Sequence, residues 1–418
     1  MKTQPQLSLI GAVAIGLSSM LGAGVFFVWS SAWSLAHDGI YIAVLLAAAV
    51  ASLNAASVYQ LATHNSRPGG IYSYARQHLN STVSFVAGIA FVLGKIGSIA
   101  AIALIIDHYV NAIFAVPNPA SHLLAIGTIA ALFALNILGI NRTALVAGIL
   151  AAVTLLFLLF SVGAGFQHGL PTHLALGVHG GKGILAAASL LFFAFAGYAR
   201  VATLGDEVRE PQRNIPRAIV ISLSIVIALY FAIVVALFGF VNPGNEATSD
   251  TPFVQMLARQ VPALNSTFVT FVVVLAALGS MLALLAGTSR TAATMAADGE
   301  LPKVFAKRNK FAAPYLVESI IALAAIAIVV WSQQTWIVIG FSSFSVLLYY
   351  AIGHAAVLAQ PKEQRKQPRI VAIFGLALCA VLVLSVPGPA VGASTAILVI
   401  ALLIRALISR LARKPQRN

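Results

Sequence analysis

The chain is 418 residues long, 60% hydrophobic and only 9% charged, with a formal charge of +14. A mean hydropathy of +0.95 excludes a soluble globular domain, because so few polar side chains cannot cover so large an apolar volume. The charge by itself would suit a nucleic-acid partner, but the placement of the basic residues argues for the faces of a membrane instead.

A helix crosses a hydrocarbon core of about 30 Å in roughly 20 residues, and apolar stretches of that kind follow one another along the chain. The first, 9–35, contains SSMLGAGVFF from Ser18 to Phe27, where Gly22 and Gly24 interrupt the apolar run. Spans at 40–62, 82–110, 121–140 and 143–166 come next. The sixth, 183–204, stays apolar through Phe192, meets Gly197 in mid-membrane and then enters the charged run GDEVREPQRNIPR. Further spans at 217–241, 266–289, 313–331, 335–358, 369–386 and 389–409 bring the count to twelve. The first span is too long for a removable signal and lacks its small-residue cleavage pattern, so it is predicted to stay in the membrane.

With twelve alternating spans, only Lys182 and Arg259 of the 25 Lys and Arg fall on the side opposite the N-terminus, while Lys95 and Arg200 lie within spans. The positive-inside rule then predicts cytoplasmic termini and a multi-pass protein of the cytoplasmic membrane. The basic excess reads as topology and attraction to anionic lipid, with no nucleic-acid partner.

Interruptions at membrane depth leave N–H and C=O groups without helical partners, which lipid tolerates only where they line a cavity or bind something. The two broken spans stand five apart and so run in opposite directions, the mark of an inverted repeat with a ligand site between the halves. The predicted organisation is all-α: spans one to five (1–166), spans six to ten (167–358), and two peripheral spans with a basic cytoplasmic tail (359–418). Glycines at close spacing also serve helix packing. It is the matching break in the other half that favours a binding role for Gly22 and Gly24.

Four segments carry a resemblance: GAGVF in the first span, RPGGIYSYA after the second, GYARVATLGDEVREPQRNIPRAI in and after the sixth, and SRTAATMAADGELP after the eighth. Together they resemble the amino acid, polyamine and organocation (APC) permeases, in the branch of bacterial basic and neutral amino acid transporters. The likeness covers spans one to ten, and the sixth-span segment is its most specific part. It implies a fold of five plus five inverted helices with two peripheral ones, and secondary transport of amino acids by alternating access, coupled to protons. Carried over by position, the first-span site falls on Met20, Gly22, Ala23 and Gly24, whose freed N–H groups would meet the α-carboxylate. The sixth-span site falls on Phe193, Ala194, Phe195, Ala196 and Gly197, whose carbonyls would accept from the α-ammonium, with Phe193 similar in place to an aromatic gate. Helix-end partial charges agree, since a helix N-terminus suits a carboxylate and a C-terminus an ammonium.

Neither break carries an acid, and Asp107, Asp206 and Glu207 sit near span ends, so a neutral or small apolar amino acid is predicted ahead of a cationic one. Met20, Phe193 and Phe195 would supply apolar wall. Lys95, an ammonium inside the third span, is functional by default. It is predicted either to load and release a proton in each cycle or to stay charged on backbone carbonyls of a broken helix. In proton-coupled relatives a lysine on the fifth span does the coupling, and this chain departs from them, with Ala151, Ala152, Val153 and Thr154 in that neighbourhood. Arg200 is a gate candidate whose stem could equally reach water beside Asp206 and Glu207.

No cofactor or metal is predicted. The nine histidines show no ligand spacing within a span, and His168, His173 and His179 gather only in one loop. Cys379 stands alone, which excludes disulfides. An exporter or exchanger of the same fold remains an alternative, and, with less support, a membrane sensor or membrane-embedded enzyme. For catalysis, no partner to Lys95 is evident in the sequence.

Overall fold

The computed structural model describes residues 7–22, 24–64, 67, 69–114, 122–137, 140–167, 180–203, 207–238, 251–311, 313–332 and 334–412. Sixteen α-helices account for most of them. The first span is split into α1 (Leu9–Met20) and α2 (Gly24–Ala36), and α3 (Ile40–Ala62) is the second. A short α4 (Ile71–His78) precedes α5 (Ser81–Phe114), α6 (Leu123–Asn136) and α7 (Ile140–Gly165). The sixth span is split into α8 (Gly181–Phe195) and α9 (Ala199–Ala202), followed by α10 (Pro211–Phe238), α11 (Pro252–Gln260) and α12 (Ser266–Ala297). The chain continues with α13 (Tyr315–Trp331), α14 (Thr335–Ala359), α15 (Arg369–Ser385) and α16 (Gly388–Ala412).

Every span read from the sequence coincides with a helix or a broken pair. Among the described residues, seven helical runs are long and apolar enough to cross a membrane by themselves, and five apolar helices of ten to seventeen residues accompany them. Leu9–Met20 and Gly181–Phe195 are among the five because a break ends each early. The protein is an integral membrane protein of all-α class. In lipid each backbone polar group needs an internal partner, which is what continuous helices supply.

The core is built from pairs of helices. Within it α2 packs on α8, α3 on α10, α5 on α12, and α6 on α13, while α14 lies along α5 and α15. The outer helices α15 and α16 present large apolar side chains outward, such as Leu384 at 83% and Leu403 at 64% exposure. That is the expected face toward acyl chains.

On the side of the N-terminus, polar contacts tie the helix ends together. The turn before α4 uses Gly69 and Gly70 at positive φ, +107° and +58°, a region open to glycine at no steric cost. A Cβ on Gly70 would run into the Tyr349 hydroxyl, which itself accepts from the N–H of Ile71 at 2.9 Å. Arg76 of α4 and Arg405 of α16 grip Glu300 at 2.7 and 2.8 Å, and Arg67 meets Asp298 at 3.1 Å. Tyr72 donates to Asp298 at 3.0 Å, and burial, reinforced by that carboxylate, raises the phenol above its ordinary range. Glu300→Gln is expected to loosen α4 from α16 and to lower stability by about 2 kcal/mol, the worth of charge-assisted hydrogen bonds, read by thermal unfolding in detergent.

Candidate functional site

Both expected breaks are present. α1 ends where Leu21 N–H still reaches back to Leu17 O at 2.7 Å, and α2 begins with Val25 N–H on Gly22 O at 3.1 Å. Among the described residues, the N–H groups of Gly22 and Gly24 meet no acceptor. Ala23 lies outside the described residues. The second break is a tight turn in which Ala196 N–H bonds Phe193 O at 3.3 Å, Gly197 N–H bonds Phe195 O at 2.8 Å, and Arg200 N–H bonds Gly197 O at 3.0 Å.

The two breaks touch each other. A Cβ built on Gly197 would strike the Ser19 carbonyl and the Met20 nitrogen, while Gly22 faces Ser280 of α12 and Gly24 faces the ring edge of Phe193. Only glycine at 197 allows main chain to cross main chain at this distance. Between the breaks lies a cavity of about 20 Å³, room for a single water molecule.

Met20, Gly22, Gly24, Lys95, Phe193, Ala194, Ala196 and Gly197 all line this cavity, joined by Ser19, Ser98, Ile102, Ser280 and Leu284. Phe195 does not. The sequence reading made it part of the wall, but its ring is fully buried against Tyr230, with centroids 4.8 Å apart. As the last helical residue of α8, it projects away from the turn that follows.

The carbonyls of the second break differ from expectation as well. They are not bare, because each has a donor inside the protein. Lys95 Nζ donates to Ala196 O at 2.9 Å, the contact foreseen for a lysine held by a broken helix. The Tyr230 hydroxyl, on α10, reaches Met20 O at 2.6 Å and Ala194 O at 3.3 Å. A phenol has one hydrogen, so Tyr230 serves one carbonyl well and the other weakly. It thereby holds both broken ends together. Tyr230→Phe is expected to strand these carbonyls and destabilise the protein by about 1–3 kcal/mol, measured as a lowered thermal midpoint.

Arg200 is not the solvent-reaching residue that its place near a span end suggested. It is 2% exposed, and it donates from Nε to Ala283 O at 2.8 Å and from Nη1 to Thr203 Oγ1 at 2.7 Å. Gly287 of α12 makes room for its stem. Of the acids considered, Asp107 pairs with His122 at 3.0 Å and Glu207 with Arg290 at 2.5 Å, neither of them lining the cavity. Asp206, His168, His173 and His179 lie outside the described residues. Cys379 is buried and donates to Asn54 Oδ1 at 3.2 Å.

A family model described as amino acid permease matches residues 7–408. The chain belongs to the amino acid permease family. Its relatives include an uncharacterized transporter of Mycobacterium tuberculosis, 39% identical over 98% of this chain and 93% of that protein. An uncharacterized amino acid permease of Bacillus subtilis is 26% identical over 85% of this chain and 83% of its own length. A vacuolar cationic amino acid transporter of Arabidopsis thaliana is 28% identical over 71% of this chain and 50% of its own length. As a permease, the chain acts in amino acid transport across a membrane.

Proposed function

We propose that this permease is a secondary active transporter that carries neutral or small apolar amino acids by alternating access, in preference to cationic ones, with protons as the coupling ion. The observation that carries the reading is the meeting of two broken helices at a buried cavity lined by Gly22, Gly24 and Ala194. The N–H groups of Gly22 and Gly24 at the start of α2 receive the α-carboxylate, where the helix end bears partial positive charge. The carbonyls of Ala194 and Ala196 receive the α-ammonium on their second lone pairs, sharing them with Tyr230 and Lys95.

Among the described residues the lining holds a lysine and no acid, so a cationic side chain meets a like charge, whereas Ile102, Phe193 and Leu284 suit an apolar one. The cavity is too small for an amino acid as it stands, and Phe193, whose ring rests on Gly24, is the gate that swings to admit it. Arg200 closes the opposite end of the path by spanning from the sixth span to the eighth. Lys95 is the proton carrier.

The halves 1–166 and 167–358 form the inverted repeat, and 359–418 is peripheral. Contacts between helices five spans apart, α2 with α8, α3 with α10, α5 with α12 and α6 with α13, are in keeping with a pseudo-twofold axis through the site. Both termini lie in the cytoplasm and the membrane is the cytoplasmic one, in keeping with the basic residues gathered on that side. Import, export and exchange use the same path, with the prevailing gradients deciding among them.

Uptake of labelled neutral, cationic and acidic amino acids into proteoliposomes, with and without an imposed proton gradient, tests this. Accumulation of a neutral amino acid, enhanced by an acidic exterior, is the expected result. Accumulation of cationic substrates alone would overturn the substrate preference, and indifference to the gradient the coupling.

A further inference from the structure

One face of α12 runs from the cavity to the N-terminal side of the bundle. At successive turns it presents Ser280 to Gly22, the Ala283 carbonyl and Gly287 to Arg200, and Arg290 to Glu207. Ten residues at about 1.5 Å rise place Arg290 some 15 Å beyond Ser280. The face is a seam between α12 and the two broken spans, and Arg290 stands at its outer mouth.

Glu207 and Arg290 meet there at 2.5 Å, with side chains 19% and 13% exposed. Glu207 also belongs to a strap. The N–H of Leu7 donates to Glu207 O at 3.0 Å and that of Arg209 to Leu7 O at 2.9 Å, a parallel bridge between Leu7 and Val208. Leu7 leads directly into α1, and Val208 follows the sixth span, so this bridge couples the two broken spans at their N-terminal-side ends. On the other flank, Glu318 of α13 is 2% exposed, accepts from Ser289 Oγ at 2.9 Å, and lies within electrostatic reach of Arg290. Arg200 and Arg308 add positive charge around the same guanidinium.

We propose that the Glu207–Arg290 pair is the latch closing this side of the transport path, that the Leu7–Val208 strap makes the first and sixth spans withdraw as one body, and that Glu318 takes over the guanidinium when Glu207 leaves. A largely buried arginine stripped of its only carboxylate would be held back by the cost of an uncompensated charge. With a second carboxylate on α13, the helix packed beside the one that carries Arg290, the charge is exchanged and not abandoned. The latch therefore releases without stranding Arg290. This rests on the alternating-access reading and adds the residues that make and break one of its closures.

Reactivity of a cysteine placed in the cavity tests the latch without any substrate, so its failure is read apart from a failure of the transport reading. In a Cys379→Ala background, Ser19→Cys lines the cavity and is labelled with a maleimide on detergent-solubilised, monodisperse protein. Glu207→Gln is expected to speed labelling by about tenfold or more, and Glu207→Asp, which keeps the charge but shortens the reach, by less. Glu318→Gln is expected to act the other way, slowing labelling severalfold and lowering the maximal transport rate in proteoliposomes, because Arg290 loses its second partner. Labelling equal to the parent in both Glu207 variants, or faster labelling in Glu318→Gln, would overturn the proposal.

Discussion

Replacing Lys95 by Met is expected to lower amino acid uptake by about 10–100-fold and to flatten its dependence on external pH. The lysine is 2% exposed in the middle of α5, with one acceptor, Ala196 O at 2.9 Å, and the Phe91 ring centroid 5.8 Å from its nitrogen. Among the described residues it has no carboxylate partner. A hydrogen bond from a charged group contributes about 1.5–3 kcal/mol, and each 1.4 kcal/mol is tenfold, which sets the range. Methionine fills the volume but leaves the Ala196 carbonyl without its donor at the very turn that shapes the cavity. Lys95→Arg separates the two roles open to the residue, because arginine keeps the charge and cannot release its proton. If Lys95 carries the proton, the arginine variant still binds substrate yet loses the response to an imposed proton gradient. If Lys95 acts as a fixed charge, the arginine variant keeps both. Unchanged uptake with an unchanged pH profile in the methionine variant would remove Lys95 from the mechanism altogether.

The breaks were legible in the sequence because a glycine in an otherwise unbroken apolar run is conspicuous, and because Gly197 precedes a charged tail. Lys95 was legible for a similar reason, as a lone ammonium where lipid makes one costly. Tyr230 was not. It sits in the apolar run IALYFAIVV of α10 like any aromatic core residue, and its partners are 210 and 36 residues away in the chain, a relation that no local period encodes. Phe195 was misplaced because helical spacing fails at a turn, where side-chain directions follow the local backbone. For Arg200 the sequence left a gate and a stem reaching water side by side, because a position near a span end says nothing of Gly287, the residue across the seam that leaves room for its stem. The basic residues on the N-terminal side were read as a sum, which is what topology depends on. Their individual pairings with Asp298 and Glu300 join α4, the segment after α12 and α16, and require the fold to be seen.

Gly197→Ala is expected to abolish transport and to destabilise the protein by at least about 3 kcal/mol, the upper part of the range for overpacking. The added methyl would fall on the Ser19 carbonyl and the Met20 nitrogen, and neither can rotate aside as a side chain would. The only relief is to part the two broken spans, which pulls Ala194 O away from Tyr230 and opens the cavity to the wrong shape. Glycines nearby provide graded comparisons. At Gly24 a methyl would meet the edge of the Phe193 ring at 2.8 Å, and a ring can swing, so Gly24→Ala should fold and show its effect as altered substrate affinity. At Gly22 the obstacle is the Ser280 side chain, so Gly22→Ala should be damaging alone and substantially rescued by Ser280→Gly, whereas no single partner substitution can rescue Gly197→Ala. At Gly163 of α7 nothing lies within 4 Å, and alanine there should be neutral or slightly stabilising through its better helix propensity. Thermal unfolding and proteoliposome uptake across these variants measure the order directly. A Gly197→Ala protein that unfolds and transports like the parent would mean that the two backbones do not cross at contact distance, and the binding geometry built on that crossing would fall with it.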